Sequence, residues 1–472
     1  ATMASDELAS DPEILEYATM DSKLSLRLWQ EFEAEWPTEE RELSRLNREA
    51  CFRGIAIDTQ YVEDACNRMA HKLFYAERSI PWDWSGKKTP LSRNKIIEHC
   101  NKVGIWYPAS FAHGDEDCMR WEDEFADKHP WVKAIRDWRR INMLYAKIKH
   151  LSDNTFGGLY YPQFKYFGAR TGRFSGDGKF NLQNLPRDEM FCDTDENGKD
   201  IPGTGCDLRR CFIARPGHKL AMIDYAQIEA RALVAAVEDE KVLPDLRAGM
   251  SIYEAHARAT MGWTGGELKK ENKDLYQLAK ARVLGLGYGC GPNKFVLVAK
   301  LLAGVDVTIE EAKKIVADFR ESNPGIVALW EKLDKKIRVH GATKENVCTW
   351  YLHSGRPLNY WQPRFRVPAN NQSSQLMSMF ARGDKSSYRK TYGGLLTENL
   401  IQALCRDVLR DAWINLDKHG YKVLWSVHDE LIVELPEDAD VGEAERIMLD
   451  APEWAKFIPL AVESQVGKHY MK

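Results

Sequence analysis

The stretch HKLAMIDYAQIEARALVAA, residues 218–236, constrains this chain more than any other. Leu220 to Ile223 form an apolar run that reads as a buried strand, and Asp224 stands at its end. Ile228, Ala232, Leu233 and Ala236 then recur at near-helical spacing, so the aspartate sits where a strand hands over to a helix. A partner lies far downstream in YKVLWSVHDELIVEL, where two apolar runs flank His428, Asp429 and Glu430 at the tip of an expected hairpin. A lone aspartate at a strand end is usually a turn or cap residue. Two of them, each on rigid β structure, could clamp two divalent cations about 4 Å apart, the device that activates one oxygen and stabilises another in in-line phosphoryl transfer.

With 472 residues the chain has room for about three domains or subdomains, and 44% hydrophobic with 29% charged residues is ordinary for a globular protein. No apolar run reaches the roughly 18 residues of a membrane span, and ATMASDELASDPE lacks a basic region followed by an apolar one, so an intracellular location is expected. Ten cysteines without a CxxC pair fit reduced, buried thiols better than a disulfide framework. Cys192, Cys206, Cys211 and His218 alone hint at zinc, and their irregular spacing argues against it.

The net charge of -4 hides a local imbalance. Between Trp131 and Arg187 stand eleven Lys or Arg, including Lys179, against three Asp, a net of +8. Trp138, Tyr145, Tyr160, Tyr161, Phe164, Tyr166 and Phe167 are interleaved with them, as on a surface that neutralises phosphates and packs on sugars or bases. A solvated basic face would look similar, but the stretch runs into ARTGRFSGDGKFNLQNLPR, which a mere surface explains poorly. Thr171, Gly172, Arg173, Ser175, Asn181, Gln183 and Asn184 crowd donors and acceptors there, and such side chains can grip the acceptors that every base pair presents in the minor groove.

In chain order, PEILEYATMDSKLSLRLWQEF suits a helix with Tyr17 and Asp21 one turn apart. Helical patterns follow over Thr38 to Arg53, Tyr61 to Arg78, Ser92 to Val103, Asp117 to Asp127 and Trp131 to His150, so the first third reads as all helix. Strand-like aromatic runs begin at Leu159, and FCDTDENGKDIPGTGC reads as an exposed loop. From Glu238 to about Gly393 the chain again reads as mostly helical. Within it, Lys273, Tyr276, Lys280, Leu284 and Tyr288 share one helix face, which offers cations, an apolar contact and an aromatic ring to a nucleoside triphosphate. The GLGYGCG run follows a helix rather than a strand, which argues against a dinucleotide-binding loop.

TGRFSGDGKFNLQNLP, DYAQIEAR, KARVLGLGYG and VHDE, in this order and at these separations, resemble the motifs of family A DNA polymerases, the bacterial DNA polymerase I group. YGGLLTENLIQALCRDVL and EWAKFIPLAVESQVGKHYMK resemble the bacteriophage branch, and the resemblance runs from about Gly54 to Lys472. It implies an α+β right-hand fold with helical thumb, antiparallel-sheet palm and helical fingers. The implied divisions are 1–35 as the end of a 3′-5′ exonuclease domain with a linker, 36–158 as thumb and N-terminal helical region, 159–237 and 394–472 as the two palm segments, and 238–393 as fingers.

The same resemblance implies template-directed DNA synthesis with two Mg²⁺ ions on Asp224, Asp429 and the Tyr225 carbonyl. Lys280 would hold the triphosphate and protonate the leaving pyrophosphate, and Glu229 would exclude a ribose 2′-OH. Tyr288 would guard the template-base position, Gln227 would line the nucleotide pocket, and Arg173, Gln402 and His428 would touch the minor groove or primer end beside Asn181, Gln183 and Asn184. Expected partners are primer-template DNA and deoxynucleoside triphosphates, with the chain acting as a monomer in the cytoplasm, that of the host if a phage encodes it.

Some positions depart from the family pattern. Tyr276 stands where many relatives have arginine, so Lys273 or another cation would have to meet the phosphates. Tyr253 matches a common histidine, and Leu284 occupies a position that is often Phe or Tyr and bears on discrimination at the sugar 3′ carbon. Tyr17 and Asp21 resemble the last exonuclease motif without the upstream carboxylates it needs, so no proofreading is expected of these residues. A single-subunit RNA polymerase shares the hand and both aspartates, but Glu229 and the HDE hairpin argue against it. Intact Asp224, Asp429 and Lys280 argue against a DNA-binding relative without activity.

Overall fold

The Leu220 to Ile223 run lies in the middle of an eight-residue strand, His218–Tyr225, and Asp224 is its penultimate residue. The computed structural model describes residues 11–84, 89–112, 115–178, 180–367, 374–379 and 387–471; Lys179 of the basic stretch lies outside them. Lys422–Val427 and Glu430–Pro436 form the expected hairpin, and its second strand pairs antiparallel with His218–Tyr225. Val462–Gly467 pairs with the other edge of that strand and completes a four-stranded antiparallel sheet.

Both faces of this sheet are covered, which explains why its central strand is a continuous apolar run rather than an alternating one. Ala221, Ile223, Tyr225, Leu431 and Val433 pack into one core with the helices, while Leu220, Met222, Trp425 and Ile432 face a second core with Thr59–Arg78 and Pro130–Asp153. Burying each such large side chain contributes roughly 1.5–3 kcal/mol. The 26-residue helix Gly393–Lys418 runs through the first core, with Ile401, Leu404, Val408 and Trp413 buried along it. It packs against Thr38–Arg53, Ile228–Ala236, Pro324–Thr343 and Val441–Leu449.

Helix positions agree closely with the sequence pattern: Thr38–Arg53 is found with those limits, and Thr59–Arg78, Arg93–Val103, Glu116–Phe125 and Pro130–Asp153 differ from expectation by a few residues at most. Three readings need correction. The first third is not all helix, because Ile55–Ile57 forms a strand that pairs with Leu159–Tyr160 and Phe212–Ile213. Three residues are too few to show a period of two. The 191–206 segment is not a plain loop, since Asp193–Thr194 pairs with Asp200–Ile201.

The stretch from Glu238 to Gly393 carries a second four-stranded antiparallel sheet, made of Val347–Tyr351, Pro357–Arg366, Gln375–Met379 and Tyr388–Lys390. Cys348, Leu358, Tyr360 and Leu376 point one way from it onto Leu333 and Ile337. The alternation in PLNYWQP is a strand signal, but it is shorter than the helical patterns before it. Among the described residues no helix is long and apolar enough to cross a membrane, and all ten cysteines are free thiols.

Candidate active site

The two aspartates meet because of the sheet register. Glu430 stands opposite Asp224 across the central pair, and the Tyr225 N–H donates to the carbonyl of Asp429 at 3.1 Å. Asp429 follows His428 in the two-residue turn between hairpin strands, and His428 adopts φ +54, the left-handed conformation such tight turns require. Asp224 and Asp429 are thus each fixed by backbone pairing, which no rotation of a loop can undo.

Three carboxylates crowd this corner. Glu229 lies in the first turn of Ile228–Ala236, and Arg173 Nη2 bridges it to Asp429, at 2.5 Å from Glu229 Oε1 and 2.9 Å from Asp429 Oδ1. Burial, with the Glu229 and Asp224 charges, pushes the Asp429 carboxyl up to about 6 despite the Arg173 guanidinium. Asp224, Asp429 and Glu229 supply hard oxygen donors of the kind that suit a divalent cation such as Mg²⁺. Among the described residues no cluster of three or more His, Cys, Asp and Glu side chains forms a metal cage, including around Cys192, Cys206, Cys211 and His218. Asp224, Asp429 and the Tyr225 carbonyl remain the donors that could share a cation with a substrate.

The helix Lys273–Leu286 carries most of the second group of expected residues, and Leu284 and Tyr288 share the lining of one cavity with Glu229. Asn272 caps it by accepting from the Leu275 N–H, with Lys273 exposed at its first position. Lys280 is half-buried and Leu284 is 36% exposed, while Tyr288 lies two residues past the helix end. The Tyr288 hydroxyl donates to Glu229 Oε2 at 3.4 Å, so the ring and the carboxylate define one wall. A Cβ on Gly394 would fall 2.1 Å from the Tyr288 carbonyl, so glycine alone lets the Gly393–Lys418 helix start this close. Gln227 precedes its helix at φ +49, and its Oε1 is buried without a hydrogen-bond partner. Buried acceptors left in that state are rare and suit a ligand donor.

A basic cleft of about 540 Å³ opens next to the hairpin tip, lined among others by Arg140, Lys147, Gln183, Asn184, Arg187 and His428. This joins the basic stretch, the polar loop and the tip of the Lys422–Pro436 hairpin on one surface. Two expected DNA contacts are engaged within the chain: Asn181 Oδ1 accepts from the Gln183 N–H at 3.0 Å, and Gln402 Nε2 donates to Glu398 at 3.2 Å. Tyr17 and Asp21 are exposed on Pro12–Phe32, a helix with no buried residue.

The sequence reading missed the role of Arg173 as counterion to two carboxylates, and it missed a largely apolar cavity of about 100 Å³ behind Glu229 and Tyr288. Leu233, Val283, Leu284, Phe319 and His256 line it. Burial and the nearby Arg282 push the His256 imidazole down to about 3, so it is neutral. No local pattern distinguishes such a histidine from an exposed one.

A family model described as DNA polymerase family A matches residues 115–472. The DNA polymerase of Bacillus phage SP02 is 27% identical over 474 residues, covering 92% of this chain and 71% of that protein. DNA polymerase I of Aquifex aeolicus is 26% identical over 355 residues, covering 74% of this chain and 52% of that protein, so the chain spans about half of that relative's length. Among solved structures, the polymerase domain of Pol1 from M. smegmatis in complex with DNA primer-template and dNTP matches with a TM-score of 0.64 at 20% identity, over 91% of this chain and 70% of that one. At that identity the match speaks for the fold alone.

Proposed function

The chain belongs to DNA polymerase family A, and from that membership we propose that it adds deoxynucleoside triphosphates to the 3′ end of a primer under the direction of a template, releasing pyrophosphate. The observation that carries this reading is the pairing that sets Asp224 beside Asp429, at the edge of a basic cleft.

In this reading Asp224, Asp429 and the Tyr225 carbonyl would hold two Mg²⁺ ions, which would supply acidification of the primer hydroxyl and positive charge for the leaving oxygen. Lys280 and Lys273 face the triphosphate, and Lys280 gives a proton to the departing pyrophosphate. Gln227, Leu284 and Tyr288 border the sugar and base. Glu229, fixed by Arg173 and Tyr288, fills the space a 2′-OH would need. Arg173, Asn181, Gln183, Asn184, Gln402 and His428 receive the duplex, for which Asn181 and Gln402 exchange their internal bonds. We further read 36–158 as thumb, 159–237 with 394–472 as palm, 238–393 as fingers carrying a sheet of their own, and 1–35 as the end of an exonuclease domain. The expected setting is the cytoplasm, with the chain acting as a monomer.

Primer extension with Asp429→Ala tests the proposal. Synthesis should fall by about three orders of magnitude, equivalent to about 4 kcal/mol of transition-state stabilisation. Duplex affinity should stay near the wild-type value. Extension at the wild-type rate would sink the assignment.

A further inference from the structure

Five charged side chains lie buried together beneath the loop that carries Arg173. Glu40 comes from Thr38–Arg53, Arg406, Asp407 and Arg410 from Gly393–Lys418, and Arg356 from the turn before Pro357–Arg366; each is at most 5% exposed. Glu40 accepts from Arg406 Nη2 at 2.8 Å, from Arg410 Nη1 at 2.9 Å and from the Tyr166 hydroxyl. Asp407 accepts from Arg356 Nε at 2.9 Å, from Arg406 Nη1 at 3.3 Å and from the Ser354 hydroxyl. Asp411 takes Arg410 Nε at 2.7 Å, so three guanidiniums face three carboxylates.

Stability alone does not call for this arrangement, since well-packed apolar residues of similar volume serve a core as well or better. Apolar side chains could not, however, hold two carbonyls in fixed directions. Arg356 Nη2 donates to the Thr171 carbonyl at 2.8 Å, and Arg406 Nε donates to the Gly172 carbonyl at 2.9 Å. These are the two residues immediately before Arg173. Gly172 turns at φ +87, and a Cβ there would stand 3.0 Å from Arg356 Nη1 and 3.1 Å from the Phe167 ring, so the backbone is held by contacts as well as by hydrogen bonds. Beyond this clamp the Arg173 guanidinium spans Glu229 and Asp429.

We propose that Arg356 and Arg406, themselves fixed by Asp407 and Glu40, are positioning residues that set where the Arg173 guanidinium falls between Glu229 and Asp429. The proposal rests on the reading of Arg173 and Asp429 as parts of the polymerase site. The clamp acts on turnover through Arg173 and on nothing else in that site, so its loss matters only while Arg173 is present.

A double-mutant comparison tests this on the full chain with a primed template. Arg173→Ala alone should lower kcat; wild-type extension by that variant would overturn both the clamp and the reading of Arg173. Arg356→Lys keeps a charge beside Asp407 but lacks the second arm that reaches Thr171. It should lower kcat about tenfold, with the apparent nucleotide KM changed by less than about twofold. In the Arg173→Ala background the same substitution should cost less than about twofold, because residues acting through one group are not additive. Equal fold losses in the two backgrounds would assign Arg356 to general stability and overturn the proposal while leaving the role of Arg173 intact. Should Arg356→Lys fail to fold, Ser354→Ala removes one hydrogen bond from a neutral donor to Asp407 and keeps every charge. It should lower kcat about threefold with Arg173 present and by a smaller factor without it; no loss, or the same loss in both, overturns the proposal.

Discussion

Tyr253 and Tyr276 meet edge to face, with ring centroids 5.6 Å apart and planes at 87°. The family resemblance implies a basic residue at both positions, and here the two tyrosines contact each other. Burial pushes the Tyr253 phenol up to about 12 and raises that of Tyr276, so both stay neutral, and a phenol has no cationic form to offer a phosphate. Such pairs contribute about 0.5–1.5 kcal/mol beyond their area.

Replacing Tyr276 with Arg should therefore act in two directions. Losing the ring contact should destabilise the fold by about 1 kcal/mol, seen as a lower denaturant midpoint. A guanidinium one turn before Lys280 should lower the apparent nucleotide KM about fivefold in single-nucleotide extension. An unchanged KM would mean that the triphosphate does not lie along this helix face.

Glu229 is held from two sides, by Arg173 and by the Tyr288 hydroxyl. Glu229→Ala should raise ribonucleotide incorporation relative to deoxynucleotide by about 10- to 100-fold, since one group filling a pocket discriminates on that scale. The competing measurement is parallel extension with each sugar. A ratio that stays at the wild-type value would remove Glu229 from sugar selection.

In the proposed site, Leu284 offers neither ring nor hydroxyl to the sugar. The chain should accept dideoxynucleotides weakly, and Leu284→Tyr should improve their use relative to the normal nucleotide by about tenfold, the scale of one added polar contact. A terminator assay that finds wild-type incorporation as efficient as with the normal nucleotide would refute this.

Glu40 ties stability to pH. Burial alone would raise its carboxyl, but the hydrogen bonds and charge of Arg406, with Tyr166 and Arg410, outweigh it and hold the group at about 2 against an ordinary 4.5. The folded value is the lower one, so the unfolded chain takes up the proton first as pH falls. The contribution, on the order of 3 kcal/mol, is complete above about pH 4.5 and is lost on going down toward pH 2. Denaturant unfolding of the wild type should weaken across that window. Glu40→Gln should be less stable at neutral pH and show a flatter acid dependence; parallel curves would contradict the assignment.

What the sequence determined by itself was whatever a local period or a short motif encodes. The apolar run ending in Asp224, the hairpin around Asp429 and the limits of Thr38–Arg53 were all legible because neighbours along the chain fix them. The Val347–Lys390 sheet was not, although Leu358 and Tyr360 alternate as a half-buried strand does, because short strands carry less signal than the helices around them. Tertiary structure alone decided which charges neutralise which. Arg173 reaches Glu229 and Asp429, and Glu40 reaches Arg406, across separations that no window along the chain spans. Charged residues read one at a time belong in water; only the packing of the Thr38–Arg53 and Gly393–Lys418 helices makes an interior in which they must find each other.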